Sequence, residues 1–388
     1  MSIPLTRLYD ETNNPYELKL LAGADGLSRE VSWVQVMEDS DYASFLLRDE
    51  LLFTTGMGCK EQENWLHDFI VALMEAGSAG VVINVGKYIL REDITDDILD
   101  LCNTHHFPLF IMPWKIRLAD VTQSFLYALF LTKQEEYELI EACKELLYTT
   151  GNEEKALQTL TVHGFPKEAM YQVIAIHDEN VSDARLTTYK GCLNELGVSY
   201  ILFPAKTGYV LVCYIYHETA VHSLCQTLPS APTLQGITLG CGMTVESLLA
   251  VRRCYTQALQ AVVWARREGK NVAQFQQLGV YSILFSQENE EAMKHLHDTV
   301  LGPLLTYDMT HHRNLYTTLQ SYLRHDGSIR AVAAETFVHR NTVSYRMQKI
   351  KQLVHNDLQD SESRFTFMLA CHIHAYLALK EEWASYLP

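Results

Sequence analysis

The sequence predicts a multidomain α/β chain: an amino-terminal α/β unit, a middle α+β unit and a carboxy-terminal all-α unit. Three observations carry this. Apolar runs alternate with helical periods up to about residue 118, strands cluster between residues 170 and 245, and no strand signal follows residue 289. At 388 residues with 48% hydrophobic content, the chain can bury several cores, roughly two to four at the usual domain size.

In the first unit, "ELLFTTG" (residues 50–56), "AGVVINVG" (79–86) and "FPLFIMP" (107–113) read as buried strands punctuated by Gly and Pro. "ENWLHDFIVALMEAG" and "TDDILDLCNTHH" have the 3.6-residue period between them, so a mostly parallel sheet is expected. Residues 119–150 then run without Gly or Pro, with Tyr137, Ile140 and Leu147 at helical spacing. That length suits a connecting or dimerising helix. In the middle unit "MYQVIAIHDE", "SYILFPAKTGYVLVCYIY" and "ITLGCGMT" read as strands, the second a hairpin turning at "AKTG". "ESLLAVRRCYTQALQAVVWARREG" is a long amphipathic helix stopped by Gly269. The last unit shows four successive helical patterns: "LYTTLQSYLRHDG", "SIRAVAAETF", "RNTVSYRMQKIKQLV" and "ESRFTFMLACHIHAYLALKEEW".

The chain is acidic, with Lys+Arg 31 against Asp+Glu 47 and a net charge of −16. Any contact with a polyanion must therefore be local. Nine cysteines stand singly, without a CxxC pair, which argues against a disulfide framework or a zinc site and for reduced thiols. The start "MSIPLTRLYDETNN" has no secretory pattern and no window approaches a membrane span, so a cytoplasmic protein is expected, with no membrane partner. Histidine pairs at 105–106, 311–312 and 372/374 do not form a metal motif, and "GCGMTV" is a weak match to a dinucleotide loop. No catalytic residue, metal or cofactor is expected.

"FVHRNTVSYRMQKIK" (residues 337–351) is the exception to the acidity. From residue 328 to 355, Arg330, Arg340, Arg346, Lys349 and Lys351 stand against Glu335 alone, a local charge of +4. Gly327 and Ser328 supply a stop and an N-cap, and a short helix packs through Ile329, Val332 and Ala333. After a turn at residues 337–339, Val343, Met347, Ile350 and Val354 form one apolar face of a longer helix. Arg340, Asn341, Thr342, Tyr345, Arg346 and Lys349 lie at its amino-terminal end and opposite side. A short helix, tight turn and polar-faced longer helix make a helix-turn-helix, whose second helix enters the major groove of double-stranded DNA. Arginine forks onto guanine, asparagine pairs adenine, and Thr, Tyr and Lys serve phosphate or a thymine methyl. A solvated amphipathic helix on a bundle is the bland alternative.

These residues also carry a resemblance. "AETFVHRNTVSYRMQKIKQL" resembles the carboxy-terminal helix-turn-helix of the PucR-type (purine catabolism regulator-like, sugar diacid regulator-like) transcription factors, through Val338, His339, Arg340, Asn341, Thr342, Tyr345, Arg346, Ile350 and Leu353. Residues 238–285, from "TLGCGMT" to "LGVYSILF", resemble the family's middle domain. "LAGADGLSREVSWVQVME", "ELLFTTG" and "FPLFIMPW" resemble its sensory domain. The resemblance implies a sensory domain at residues 1–118, linker or dimerisation helices at 119–165, a GGDEF-like domain at 166–288 and the DNA-binding domain at 289–388. It also implies an effector-responsive activator of a catabolic operon, with purine catabolism suggested by the family's name, acting as a homodimer or higher homo-oligomer. Diguanylate cyclases share the middle domain's fold but need a GG(D/E)EF hairpin, whereas "LFPAKTGYVLV" (residues 202–212) has no acid and one glycine. A degenerate, inert domain is the expectation.

Ligands of open α/β sheets bind beyond the carboxyl ends of the strands. That places Glu38, Thr54, Thr55, Gly56, Gly86 and Trp114 on one candidate rim for a small-molecule effector; the alternative makes the threonines helix caps and Trp114 core. From a different class, the competing reading is a small-molecule-binding or nucleotide-processing protein whose terminal bundle serves assembly.

Overall fold

A computed structural model describes residues 3–57, 64–149, 151, 153–215, 218–287, 289–384 and 386, in two compact units, residues 1–139 and 140–388. Cys59 lies outside the described residues.

The first unit opens with β1 (Ile3–Pro4) and α1 (Leu5–Tyr16), followed by β2 (Lys19–Ala22), β3 (Glu30–Val31) and β4 (Trp33–Val36). Next come β5 (Glu50–Thr54), α2 (Trp65–Glu75), β6 (Gly80–Val85), α3 (Asp96–Thr104), β7 (Leu109–Pro113) and the start of α4 (Leu118–Tyr148). The sheet runs β2-β7-β6-β5-β4, with β4 to β7 parallel and β2 antiparallel at one edge. Side chains alternate across a sheet. Leu52, Val81 and Ile83 therefore meet Phe69, Ile70 and Leu73 of α2 and Ile98 and Cys102 of α3. Leu51, Phe53, Val82 and Phe110 meet Leu5 and Leu8 of α1 and Val121, Phe125 and Leu129 of α4. Both faces are covered, which is why these strands read as continuous apolar runs rather than alternations. The β1–β3 pair and α1 were not legible; α1 carries Pro15 and few apolar residues.

The second unit holds the rest of α4, then α5 (Glu153–Val162), β8 (Glu168–His177), α6 (Asp183–Glu195), β9 (Ser199–Ala205) and β10 (Gly208–Tyr214). It continues with α7 (Glu218–Ser230), β11 (Thr238–Cys241), β12 (Val245–Ser247), α8 (Val251–Arg267), β13 (Val272–Gln274) and α9 (Val280–Ser286). The sheet order is β13-β11-β8-β10-β9, with β12 also on β8. One face packs Tyr189, Leu193, Leu224 and Leu228 of α6 and α7 against Ile174, Ile176 and Leu211. On the other face lies α8. Gly240 and Gly242 belong to this packing: a Cβ on Gly240 would sit 2.2 Å from the Ala258 carbonyl oxygen, and one on Gly242 would sit 2.1 Å from that of Cys254. The "GCG" run thus lets a helix lie against a strand. The sequence placed the start of α8 at Glu246, but residues 245–250 pair with β8 and then form a short 3-10 turn capped by Ser247.

Five helices complete the unit: α10 (Glu290–His311), α11 (Leu315–Arg324), α12 (Ile329–Thr336), α13 (Arg340–Val354) and α14 (Ser361–Ala384). The sequence reading had four; α10, with Pro303 inside it, is the addition. A common core joins Leu301, Leu304, Leu319, Leu323, Val332, Val343, Met347, Ile350 and Phe367. Its last helix is fastened to the middle domain. Arg267 Nη1 donates to the Ala375 carbonyl at 3.0 Å, Arg266 Nη1 donates to the Tyr386 hydroxyl at 2.7 Å, and Leu284 of α9 packs with Ile373 and Tyr376.

Candidate nucleic-acid interface and sensor rim

Helix α12 begins where the left-handed Asp326 and Gly327 end the preceding turn, and Ser328 Oγ accepts from the Ala331 amide at 3.3 Å. It ends at Phe337, a non-glycine residue at φ 52°, whose side chain is 96% exposed. Such a conformation costs an L-residue about 1 kcal/mol, and it is what turns the chain so sharply. His339 then caps α13, Nδ1 accepting from the Asn341 amide at 3.3 Å. The sequence showed His339 only as part of a pattern; its capping role was missed.

The six polar residues of α13 do not share one environment. Arg340, Asn341, Thr342 and Tyr345 are exposed along the first turns of the helix. Arg346 and Lys349 are half-buried: Arg346 Nη1 donates to Thr318 Oγ1 of α11 at 3.5 Å, and Lys349 Nζ lies 5.0 Å from the Tyr307 ring of α10. Beneath them Val343, Met347 and Ile350 are buried, so the helix is held by one face while its amino-terminal end projects. Glu335, the lone acid of the segment, accepts from Ser321 Oγ, from Arg324 Nη2 at 3.0 Å and from His325 Nε2 at 3.2 Å. The Ser321 hydrogen bond, aided by Arg324 and His325, holds its carboxyl below the usual range. That acid is thereby committed to α11 and fixes the angle of α12.

At the carboxyl ends of the first sheet, Glu38 is saturated. Oε1 accepts from the Thr55 amide at 2.9 Å and hydroxyl at 2.7 Å; Oε2 accepts from Thr54 Oγ1 at 3.1 Å and the Met57 amide at 3.0 Å. Thr54 and Thr55 thus bind the carboxylate instead of capping a helix. Gly56, at φ 73°, lies under Ile89, and the Gly86 amide donates to the Ile89 carbonyl at 2.8 Å. The loop after β6 can fold back over the end of β5 because Gly56 carries no Cβ, which would meet Ile89, and Gly86 at φ 123° starts that loop in a conformation that favours glycine. Trp114 is 37% exposed, edge-on to Tyr88 at 5.5 Å, with Lys87 Nζ 5.0 Å from its ring. Lys87 and Tyr88 were missed, although they directly follow the strand end that was read. Between the clusters Asn84 is buried; Nδ2 donates to the Ile116 carbonyl at 3.0 Å, while Oδ1 has no partner among the described residues.

Three family matches cover most of the chain in order: the purine catabolism regulatory protein-like family at residues 10–129, the GGDEF-like domain at 149–263 and the PucR C-terminal helix-turn-helix domain at 315–373. The chain thus carries a PucR family domain and, after a GGDEF-like domain, the PucR C-terminal helix-turn-helix domain. Among PucR-type relatives, the purine catabolism regulatory protein of Bacillus subtilis (strain 168) is 34% identical over 127 residues, 32% of this chain and 24% of that protein. The DNA-binding transcriptional activator AdeR of the same organism is 26% identical over 139 residues, 35% of this chain and 33% of that protein. These two matches thus span a quarter to a third of the relatives' own length. The transcriptional activator PmfR of Paenarthrobacter nicotinovorans is 22% identical over 91% of this chain and 94% of its own. The PucR-type family is regulatory, and no helix among the described residues is long and apolar enough to cross a membrane.

Proposed function

We propose that this chain is an effector-responsive transcriptional activator that reads double-stranded DNA through α13. The observation that carries the reading is the division of that helix: an apolar face locked into the core, and Arg340, Asn341, Thr342 and Tyr345 projecting from its capped amino-terminal end. This is the end that reaches base edges in a major groove. Arg346 and Lys349 seat the helix and lie beside the phosphates. The names of the relatives support activation rather than repression. Residues 1–118 would sense the effector, 119–165 link, 166–288 support and 289–388 read DNA.

The middle domain acts as a scaffold in this reading. Its hairpin carries no acid, and Gly208 serves the close approach of β10 to β8, since a Cβ there would sit 2.0 Å from the Ile176 carbonyl oxygen. Asp178, at the end of β8, accepts from Arg185 Nε and Tyr189 Oη, both at 2.7 Å, and from the Asn180 amide at 2.9 Å. Burial raises the Asp178 pKa, but these hydrogen bonds outweigh it and hold the carboxyl below its ordinary value. With about three of its four acceptor sites taken and its charge met by Arg185, this carboxylate is a poor cation ligand.

For the effector, Trp114 and Lys87 offer a flat ring and a cation, and the Thr55 hydroxyl oxygen, which donates to Glu38, keeps a lone pair to accept. A small planar polar molecule fits that chemistry. The experiment is fluorescence anisotropy of the full chain on the DNA upstream of its own coding region, against a shuffled fragment, over a salt series. Selective binding that weakens steeply with salt is expected. Equal affinity for the two fragments, with and without candidate metabolites, would sink the reading.

A further inference from the structure

Helix α4 buries its two ends and leaves its middle bare. Val121, Phe125 and Leu129 are buried near its start, and Ala142, Cys143, Leu146 and Leu147 near its end. Between them Tyr127, Phe130, Leu131 and Tyr137 are 62%, 61%, 40% and 64% exposed. At 100° per residue these four fall on one side of the helix, opposite the stripe of Val121, Phe125 and Leu129. A contiguous exposed aromatic face on an otherwise acidic chain marks an interaction surface.

We propose that this face binds a second copy of the chain, α4 against α4, parallel and in register. Tyr127, Phe130, Gln134 and Tyr137 follow the alternating three- and four-residue spacing of a coiled-coil seam, positions a, d, a and d. Leu126 and Lys133 then occupy g positions, and Leu131 and Glu138 occupy e positions. In a parallel, in-register pair each g side chain faces the e side chain five residues further along the other helix. Lys133 therefore meets the partner's Glu138, cation against anion, twice by symmetry, while Leu126, half-buried against the first unit's core, turns only its outer edge to the partner's Leu131. An antiparallel pair would set g against g and e against e, placing Lys133 opposite a leucine or another lysine. Charge and shape together select the parallel arrangement. Gln134, a polar residue at an a position, pins the register, and its amide donates to Glu138 within the helix at 2.9 Å.

The inference stands apart from the DNA reading, because mass alone tests it. Light scattering of the full chain at micromolar concentration should give twice 44.3 kDa. Phe130→Asp with Tyr137→Asp should give the monomer mass with unchanged helical circular dichroism, since both side chains are exposed. Lys133→Glu should raise the dimer dissociation constant about tenfold, and adding Glu138→Lys should restore it, which a merely destabilised helix would not do. A monomeric wild type, a dimer that survives the two aspartates, or a charge reversal without rescue would each overturn the proposal.

Discussion

Arg346 of α13 and Thr318 of α11 are joined by a hydrogen bond, Nη1 donating to Oγ1 at 3.5 Å, and Thr318 in turn donates to the Asn314 carbonyl at 3.3 Å. An arginine on the candidate reading helix is therefore partly spent on holding that helix. This separates it from Arg340, which is exposed. Arg340→Ala should cost about 1 to 3 kcal/mol of sequence-specific affinity and leave the unfolding midpoint unchanged. Arg346→Ala should lower affinity for all DNA alike and also destabilise the second unit by about 1 kcal/mol. Anisotropy on specific and shuffled DNA, paired with urea unfolding, distinguishes the two. A stable Arg346→Ala protein that has lost only specificity would reverse the assignment.

The order of domains and the helix-turn-helix were legible because period and charge are local signals. Val343, Met347 and Ile350 fall into the core as their spacing dictates. The use of each polar residue was not legible. Whether Arg346 meets DNA or Thr318 depends on where α11 lies, and nothing within the stretch around Arg346 encodes that. Glu38 and Thr55 meet at the strand ends, yet strand-end reasoning could not show that the carboxylate would be consumed by Thr54, Thr55 and Met57. Likewise "GCG" reads as a strand and a weak match to a dinucleotide loop, and nothing in the run itself tells that its glycines make room for α8.

Glu38 supplies the second prediction. Its two oxygens accept four hydrogen bonds. An amide has one acceptor oxygen and brings two donors, so Glu38→Gln leaves the Thr55 or Met57 amide facing an N–H. The loss should be about 1 to 3 kcal/mol in the first unit. Thermal unfolding of Glu38→Gln measures it. An unchanged midpoint would return Glu38 to the list of groups available to an effector.

The middle domain offers a packing test. Gly240 lies so close to α8 that a methyl group would meet the Ala258 carbonyl oxygen at 2.2 Å and the Val262 nitrogen at 2.3 Å. Backbone atoms cannot swing aside as a flexible side chain would. Gly240→Ala should therefore destabilise the second unit by about 3 kcal/mol or more. Gly151→Ala and Gly164→Ala make poor controls, because both glycines have positive φ; Gly302→Ala, on a helix with nothing near, should be neutral or stabilising. Urea midpoints of Gly240→Ala and Gly302→Ala decide whether close approach is the reason for the glycine.

The last prediction concerns pH and the contacts of α14 and Tyr386 with α9, α10 and the end of β8. His177 contacts Tyr386, His372 meets the Tyr281 hydroxyl at 3.3 Å, and His374 Nδ1 lies 2.9 Å from His297 Nε2. Burial lowers the pKa of all three below 6.5, with Arg266 adding to the effect at His177, and His297 and Arg267 at His374. The unfolded chain therefore binds more protons than the folded one in this range. A depressed folded pKa means that the contribution to stability is complete above the unfolded value and is lost as pH falls through the folded one. The His297–His374 hydrogen bond also needs a ring nitrogen without a proton, and charging His374 removes its Nδ1 as an acceptor. The second unit should unfold at lower urea at about pH 5.5 than at about pH 7.5. Replacing His374 by Gln should flatten that dependence, because the amide can take up the contact with His297 without titrating. A midpoint that does not fall on acidification, or one that falls equally in the His374→Gln protein, would remove His374 from the cause.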